Sequence, residues 1–262
     1  LAQIGVGEYV MTIGADNFIT EIRTAFATAF DTADEAMPHR EYLPHFIAAL
    51  DKCASANAGQ TTVIPPSRPT ALATAINHGA AAKATIAKTP VATALAPYID
   101  NLDWYQIFES GDIDQGLATG LLAGQLIGKR GIVKADDVFV GLFLLAPGVC
   151  YPFHQHAALE IYHVLSGSID ITHGRTKAPM HIKAGQSSVT PPHQVHQLQT
   201  GDEACLIAYV WTGDMTGGNW WWEKQPDQSW DRICWDRQPD SSWAISKREP
   251  LSDAEIIRSG DG

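Results

Sequence analysis

The chain has 262 residues, 45% of them hydrophobic, and a formal net charge of −11. That apolar content suffices for the core of one large domain or two modest ones, which excludes a disordered chain. The acidic balance offers nothing to phosphate backbones or anionic lipid, so neither nucleic acid nor a membrane surface is an expected partner.

Cys53, Cys150, Cys205 and Cys234 lie far apart and form no C-x-x-C pair. A zinc ribbon or thioredoxin-type motif is thereby excluded, and the cysteines read as reduced thiols of a cytoplasmic protein. No run approaches the length of a membrane span, and LAQIGVGEYVMTIG lacks the basic start and continuous apolar core of a signal peptide.

From Asp16 to Phe108 apolar residues recur at steps of three and four, as in ADNFITEIRTAFATAF and EYLPHFIAALDKCA. This is the period of helices with one buried face, and a handful are expected, the last over Asn101 to Phe108. QTTVIPPSRPT, residues 60–70, reads as a loop because of its prolines and hydroxyl residues. The Gly-rich stretch 111–131 reads as a connector.

After Val133 the chain turns to short strands broken by Gly and Pro: DVFVGLFLLAP, ALEIYHVLSG, SIDITHG, QSSVTPP, VHQLQT and ACLIAYVW. Runs of this length and spacing predict an antiparallel sandwich or barrel. Val138, Val140, Leu142 and Leu144 oppose Phe139, Phe143 and Leu145 in parity, so the sheet is expected to be covered on both faces. The helical half or a second subunit, in a homodimer, would supply that cover. The segment from Trp211 to Trp243 holds seven of the eight tryptophans between turn residues and reads as an ordered but irregular wrap. Ser252-Asp-Ala-Glu255 is the signature of a capping box opening a short last helix. The expected architecture is α+β: a helical N-terminal region over 1–130, an antiparallel barrel over 131–215 and an irregular Trp-rich extension over 216–262.

The chemistry concentrates in GVCYPFHQHAALEIYHVLSG, residues 148–167. His154, His156, Glu160 and Tyr162 share one parity and so one face of an extended chain, whereas Leu159, Ile161 and Leu165 occupy the other. Two imidazoles and a carboxylate are costly to bury unpaired, and a divalent cation is their usual partner. His163 has the wrong parity, His173 and His181 fall at expected turns, and His39, His45 and His78 lie in the helical half, so none of these six is expected as a ligand.

Residues 148–167 resemble the first cupin motif, G-x5-H-x-H-x3-E-x6-G, at Gly148, His154, His156, Glu160 and Gly167. GQSSVTPPHQVHQ resembles the second motif at Gly185, Pro191 and His196, and departs from it at His193, where the pattern has Gly, and at Thr200, where it has Asn. The resemblance implies a jelly-roll barrel holding one divalent transition metal ion, Zn, Fe, Mn, Co or Ni, on His154, His156, Glu160 and His196; His193, where the motif is departed from, is a candidate either for a position behind the ligands or for substrate contact.

The string Tyr151, Pro152, His154, His156, Glu160, Tyr162, with a helical half before a single barrel, is similar to the cupin-type dimethylsulfoniopropionate lyases. That resemblance implies β-elimination of a zwitterionic sulfonium carboxylate to dimethyl sulfide and acrylate. Tyr162 would be the general base and Tyr151 an assisting or substrate-positioning residue. Bringing a phenol from a pKa near 10 to about 7 takes about 4 kcal/mol, within reach beside a divalent cation. Tyr209 and Trp211, on one face of the last barrel strand, are candidate aromatic walls for the sulfonium. The competing readings are an iron dioxygenase or isomerase on the same metal site, and a non-catalytic small-molecule-binding cupin.

Overall fold

The computed structural model describes residues 11–67, 73–108, 113–216, 218–238 and 243–261. The N-terminal half runs β1 (Met11–Gly14), α1 (Ala15–Asp31), α2 (Leu43–Ala56), β2 (Thr61–Ile64), α3 (Ala73–Ala84), α4 (Pro90–Leu95), β3 (Tyr105–Gln106) and α5 (Gln115–Gly120). The strands that follow are β4 (Leu121–Ile127), β5 (Val138–Leu145), β6 (Cys150–Gln155), β7 (Ala158–Ser166), β8 (Ser168–Thr172) and β9 (Met180–Lys183). Then come β10 (Ser187–Thr190), β11 (His196–Gln199), β12 (Cys205–Gly213), β13 (Asn219–Lys224), β14 (Trp230–Arg237), β15 (Trp243–Pro250) and α6 (Asp253–Arg258).

Two antiparallel sheets face each other. One has six strands in the order β10-β7-β12-β5-β4-β3, the other seven in the order β15-β14-β13-β6-β11-β8-β9. Apolar side chains of α1 at three- and four-residue steps, Phe18, Ile22, Phe26 and Phe30 among them, form one core with Leu43, Phe46 and Leu50 of α2 and with Val140, Leu142, Ile161 and Val210 of the six-stranded sheet. A second core lies between the sheets and takes the opposite parity of the same strands: Phe143 and Leu145, Tyr162 and Val164, Ile207 and Tyr209. The two-sided strands are therefore covered outside by the N-terminal helices and inside by the second sheet.

Four expectations are corrected. The helix placed over Asn101–Phe108 is a 3₁₀ turn over Ala96–Asn101 followed by strand β3. The described part of the connector 111–131 holds α5 and β4, so two strands of the six-stranded sheet lie before residue 131. Thr61–Ile64 of the expected loop pairs with β1 and only then reaches the prolines. The extension is largely regular: β13, β14 and β15 add in order to β6. Three consecutive tryptophans in β13 break the period-2 pattern that would mark a strand, and the indoles lie on both faces: Trp221 packs on Trp235, while Trp220 lies under Arg232, which pairs with Glu249. Ser252 caps α6 as expected, accepting from the Glu255 N–H, while the Glu255 carboxylate turns to Arg232 and Arg258 and does not close the box.

Candidate active site

The stretch 148–167 is two strands, not one. β6 ends at Gln155 in the seven-stranded sheet, the chain turns at His156 and Ala157, and β7 continues in the six-stranded sheet. The common parity survives the corner. His154 on β6 and His196 on β11 come from one sheet, Glu160 and Tyr162 on β7 from the other, with His156 at the turn. All five are buried, each less than 7% exposed. The turn conformation is built into the sequence: Gly167 closes β7 at φ +73°, where a Cβ would stand 2.4 Å from the Ala204 carbonyl oxygen. His193 takes φ +64° where the second cupin motif has Gly, so this position keeps the left-handed backbone without the usual residue.

His154, His156 and His196 bring ligating nitrogens to within 4.8 Å of one another. Each Nδ1 faces a main-chain carbonyl: Pro152 at 2.7 Å, Ala158 at 3.0 Å and Gln194 at 3.0 Å. A carbonyl only accepts, so each Nδ1 donates to it, and each ring turns its Nε2 toward a common centre. The Nε2 of His196 is buried without a hydrogen bond. Three oriented imidazoles with an unpaired nitrogen between them fit a divalent cation.

The fourth expected ligand sits differently. Glu160 Oε2 is 3.1 Å from His156 Nε2 and 3.4 Å from His196 Nε2, while Oε1 accepts from the indole of Trp211. Burial alone would raise its pKa, but the two imidazoles outweigh that and hold the carboxyl down at about 2. His154 is pushed well down, by burial first and then by His196 and His156. Burial and the Glu160 carboxylate push the Tyr162 phenol well up, and burial does the same to Tyr151.

Beside the histidines is a cavity of about 300 Å³. Tyr151, Tyr162, Phe143 and Trp211 line it from the barrel, Trp235 and Trp243 from the extension. Tyr151 has the opposite parity to His154, yet the two rings stack at 3.6 Å and 13°. The cause is a bulge: between the pairs His196↔His154 and Leu198↔Tyr151, β6 spends three residues where β11 spends two. An extra residue turns the next side chain to the other face.

Trp211 belongs to the site, its ring lying 4.3 Å from that of His156. Tyr209 does not line the cavity; it stacks behind Phe143 at 4.2 Å. His193 is also outside the cavity, its N–H bonded to the His156 carbonyl and its ring set among Arg258, Glu255 and Asp214.

His163 lies on the helix side against Phe26, as its parity requires. His181 is in strand β9, bonded to Asp170, and not at a turn. His173 follows β8, 6.3 Å from the His196 ring and bonded to Thr190, with its pKa lowered to about 3, chiefly by burial. Sequence reasoning missed Asn219, Trp235, Asp236 and Trp243, whereas His173 stands, as expected, behind the ligand candidates and not among them. None of the missed residues carries a spacing tied to the ligands, since all reach the site through strand pairing.

Two facing antiparallel sheets with three oriented histidines inside define a cupin with a metal-type centre. The chain belongs to the dimethylsulfoniopropionate lyase family, whose model matches residues 39–207. It is 30% identical over 122 residues to DddL of Cereibacter sphaeroides, a protein assigned as a dimethylsulfoniopropionate lyase, covering 46% of this chain and 50% of that one. It is 31% identical over 91 residues to the dimethylsulfoniopropionate lyase DddQ of Ruegeria pomeroyi, covering 34% and 44%. The chain thus spans half or less of the length of these curated relatives. The crystal structure of the Ruegeria DddQ aligns with a TM-score of 0.50 at 19% identity over 67% of this chain and 95% of that one. A structure from a study of the DMSP lyases RdDddP and RnDddQII aligns at 0.51 and 18% identity, over 76% and 94%. At such identities these two alignments establish the fold.

Proposed function

We propose that the protein cleaves dimethylsulfoniopropionate to dimethyl sulfide and acrylate by β-elimination, with Tyr162 as the general base. The observation that carries this reading is the position of Tyr162. Its phenol is buried in the cavity wall beside Glu160, with its ring 6.4 Å from that of His196. The base takes a proton from the carbon α to the substrate carboxylate, and the electron pair left behind becomes the Cα=Cβ bond. The Cβ–S bond breaks with its pair going to sulfur, so a neutral thioether leaves and acrylate remains.

The cavity suits such a substrate. Phe143, Tyr151, Tyr162, Trp211, Trp235 and Trp243 offer aromatic surface to a sulfonium, and Asp236 adds a carboxylate to the lining. His154, His156 and His196 would hold a divalent cation with Glu160 in reach, a donor set that accommodates Zn, Fe, Mn, Co or Ni. Such an ion, when bound, would polarise the substrate carboxylate and offset the negative charge of a Tyr162 phenolate. Trp211, bonded to Glu160, keeps that carboxylate turned toward the histidines.

Among the described residues no helix is long and apolar enough to cross a membrane. All four cysteines are free, which supports a cytoplasmic setting for the activity.

The test is incubation of the purified protein, loaded in turn with each of the five metals, with dimethylsulfoniopropionate, following dimethyl sulfide by gas chromatography. Release is expected, and no release with any metal would overturn the reading. Tyr162→Phe should lower turnover by about 10²- to 10⁴-fold; wild-type turnover in that variant would leave the lyase standing and remove Tyr162 as base.

A further inference from the structure

We infer that Asn219 is a positioning residue for Tyr151, which makes the C-terminal strands β13 to β15 part of the active site. The inference deepens the lyase reading and rests on it for its turnover arm. Most of the cavity lining, Trp211, Gly218, Asn219, Trp235, Asp236 and Trp243, lies beyond residue 207, where the family match ends, and all of it but Trp211 belongs to the extension.

The Tyr151 ring is already clamped. It stacks on His154 at 3.6 Å and meets Phe108 and Trp221 edge-on at 5.3 and 5.7 Å. What packing leaves free is rotation of the hydroxyl. Asn219 Nδ2 donates to Tyr151 Oη at 2.8 Å. An amide N–H only donates, so the tyrosine oxygen accepts and its own hydrogen must point elsewhere, toward the cavity that Tyr151 lines. In that orientation the phenol is a hydrogen-bond donor to whatever occupies the cavity, as a substrate carboxylate would require.

The extension holds Asn219 firmly. It pairs with Trp235 across β13 and β14. The preceding Gly218 sits so close to β14 that a Cβ there would come 2.5 Å from Cys234 Sγ. Two polar atoms on this wall are buried without a partner, Asn219 Oδ1 and the Nε1 of Trp235, a residue only 5% exposed. Buried polar groups are rarely left so, and a ligand in the cavity is the partner their position allows.

A double-mutant cycle tests the assignment. Asn219→Leu should lower kcat for dimethyl sulfide release about tenfold, the scale of one buried hydrogen bond, and should cause no further loss in a Tyr151→Phe background. Equal fractional losses in both backgrounds, or none in the first, would overturn it. Asn219→Asp keeps the shape but replaces the donor with an acceptor that claims the Tyr151 proton, so it should lose at least as much; full activity there is equally fatal. Thermal unfolding of each variant separates loss of fold from loss of orientation. Hydrogen exchange of the Asn219 side-chain amide by NMR reads the bond without turnover. It should be slow in the wild type and fast in Tyr151→Phe, and fast exchange in the wild type rejects the inference. A wild type that releases no dimethyl sulfide defeats the lyase reading alone, and the amide exchange then decides the Asn219–Tyr151 pair.

Discussion

The two faces of strand β7 are buried alike and do opposite things. On the helix side Leu159, Ile161 and Leu165 join the aromatic residues of α1 and α2 in a core where apolar burial dominates. One histidine lies there, His163, whose Nδ1 meets Ser187 at 2.8 Å and whose Nε2 has no partner. Burial holds its pKa down at about 4, so it stays neutral and acts as a packing residue. On the barrel side Glu160 and Tyr162 meet three further histidines whose Nδ1 atoms are all committed to backbone carbonyls. Burial is thus common to both regions, and a buried histidine is no site by itself. What makes the inner face a site is convergence: among the described residues, it is there that three imidazole nitrogens come within 4.8 Å of one another.

This contrast can be broken from either side. The largest effect is expected from the His154→Ala/His156→Ala double variant. It should lose all bound metal by elemental analysis, and with it dimethyl sulfide release, while circular dichroism still reports the folded helical layer. Retained metal would show that the inner face is not the binding centre.

On the outer face, Phe26→Ala should cost about 3–5 kcal/mol in chemical denaturation, as large cavities in well-packed cores do, with metal content per folded chain unchanged. Phe26 is fully buried against Phe30 and His163, so a loss much below that range would mean that the helical layer is loosely seated.

The smallest effect concerns pH. In the unfolded chain His163 binds its proton near pH 6.5, in the folded chain only near 4. Its contribution is therefore complete above pH 6.5 and is lost as pH falls through that window, by about 3 kcal/mol in all. His163→Phe should flatten the stability profile of thermal unfolding between pH 6.5 and 4 relative to wild type, and an unchanged slope would refute the packing role.

Much of the site was legible because the relevant physics is local. Parity along residues 154–162 selected His154, His156, Glu160 and Tyr162 and rejected His163, and it did so even though the chain changes sheets at Ala157. Alternation is a property of consecutive peptide units, and a single turn did not reset it. The helical half was legible from the spacing of Phe18, Ile22 and Phe26, and the two-sided cover of β5 from its double apolar parity. Tyr209 was misjudged for the same reason: it shares the inward face of β12 with Trp211, but Phe143 takes the cavity position in front of it.

By itself, then, the sequence determined the α+β order, the face that carries His154, His156 and Glu160, and the glycine-type turns that bracket it. Each of these depends on neighbours in the chain, through side-chain period or the sign of φ. Only the tertiary structure decided that a bulge opposite β11 brings Tyr151 onto His154, and that Trp211 holds Glu160. It alone showed that the Trp-rich tail is three paired strands carrying Asn219 to Tyr151. Those contacts join residues tens of positions apart, and their geometry is set by strand register and packing, which no local pattern encodes.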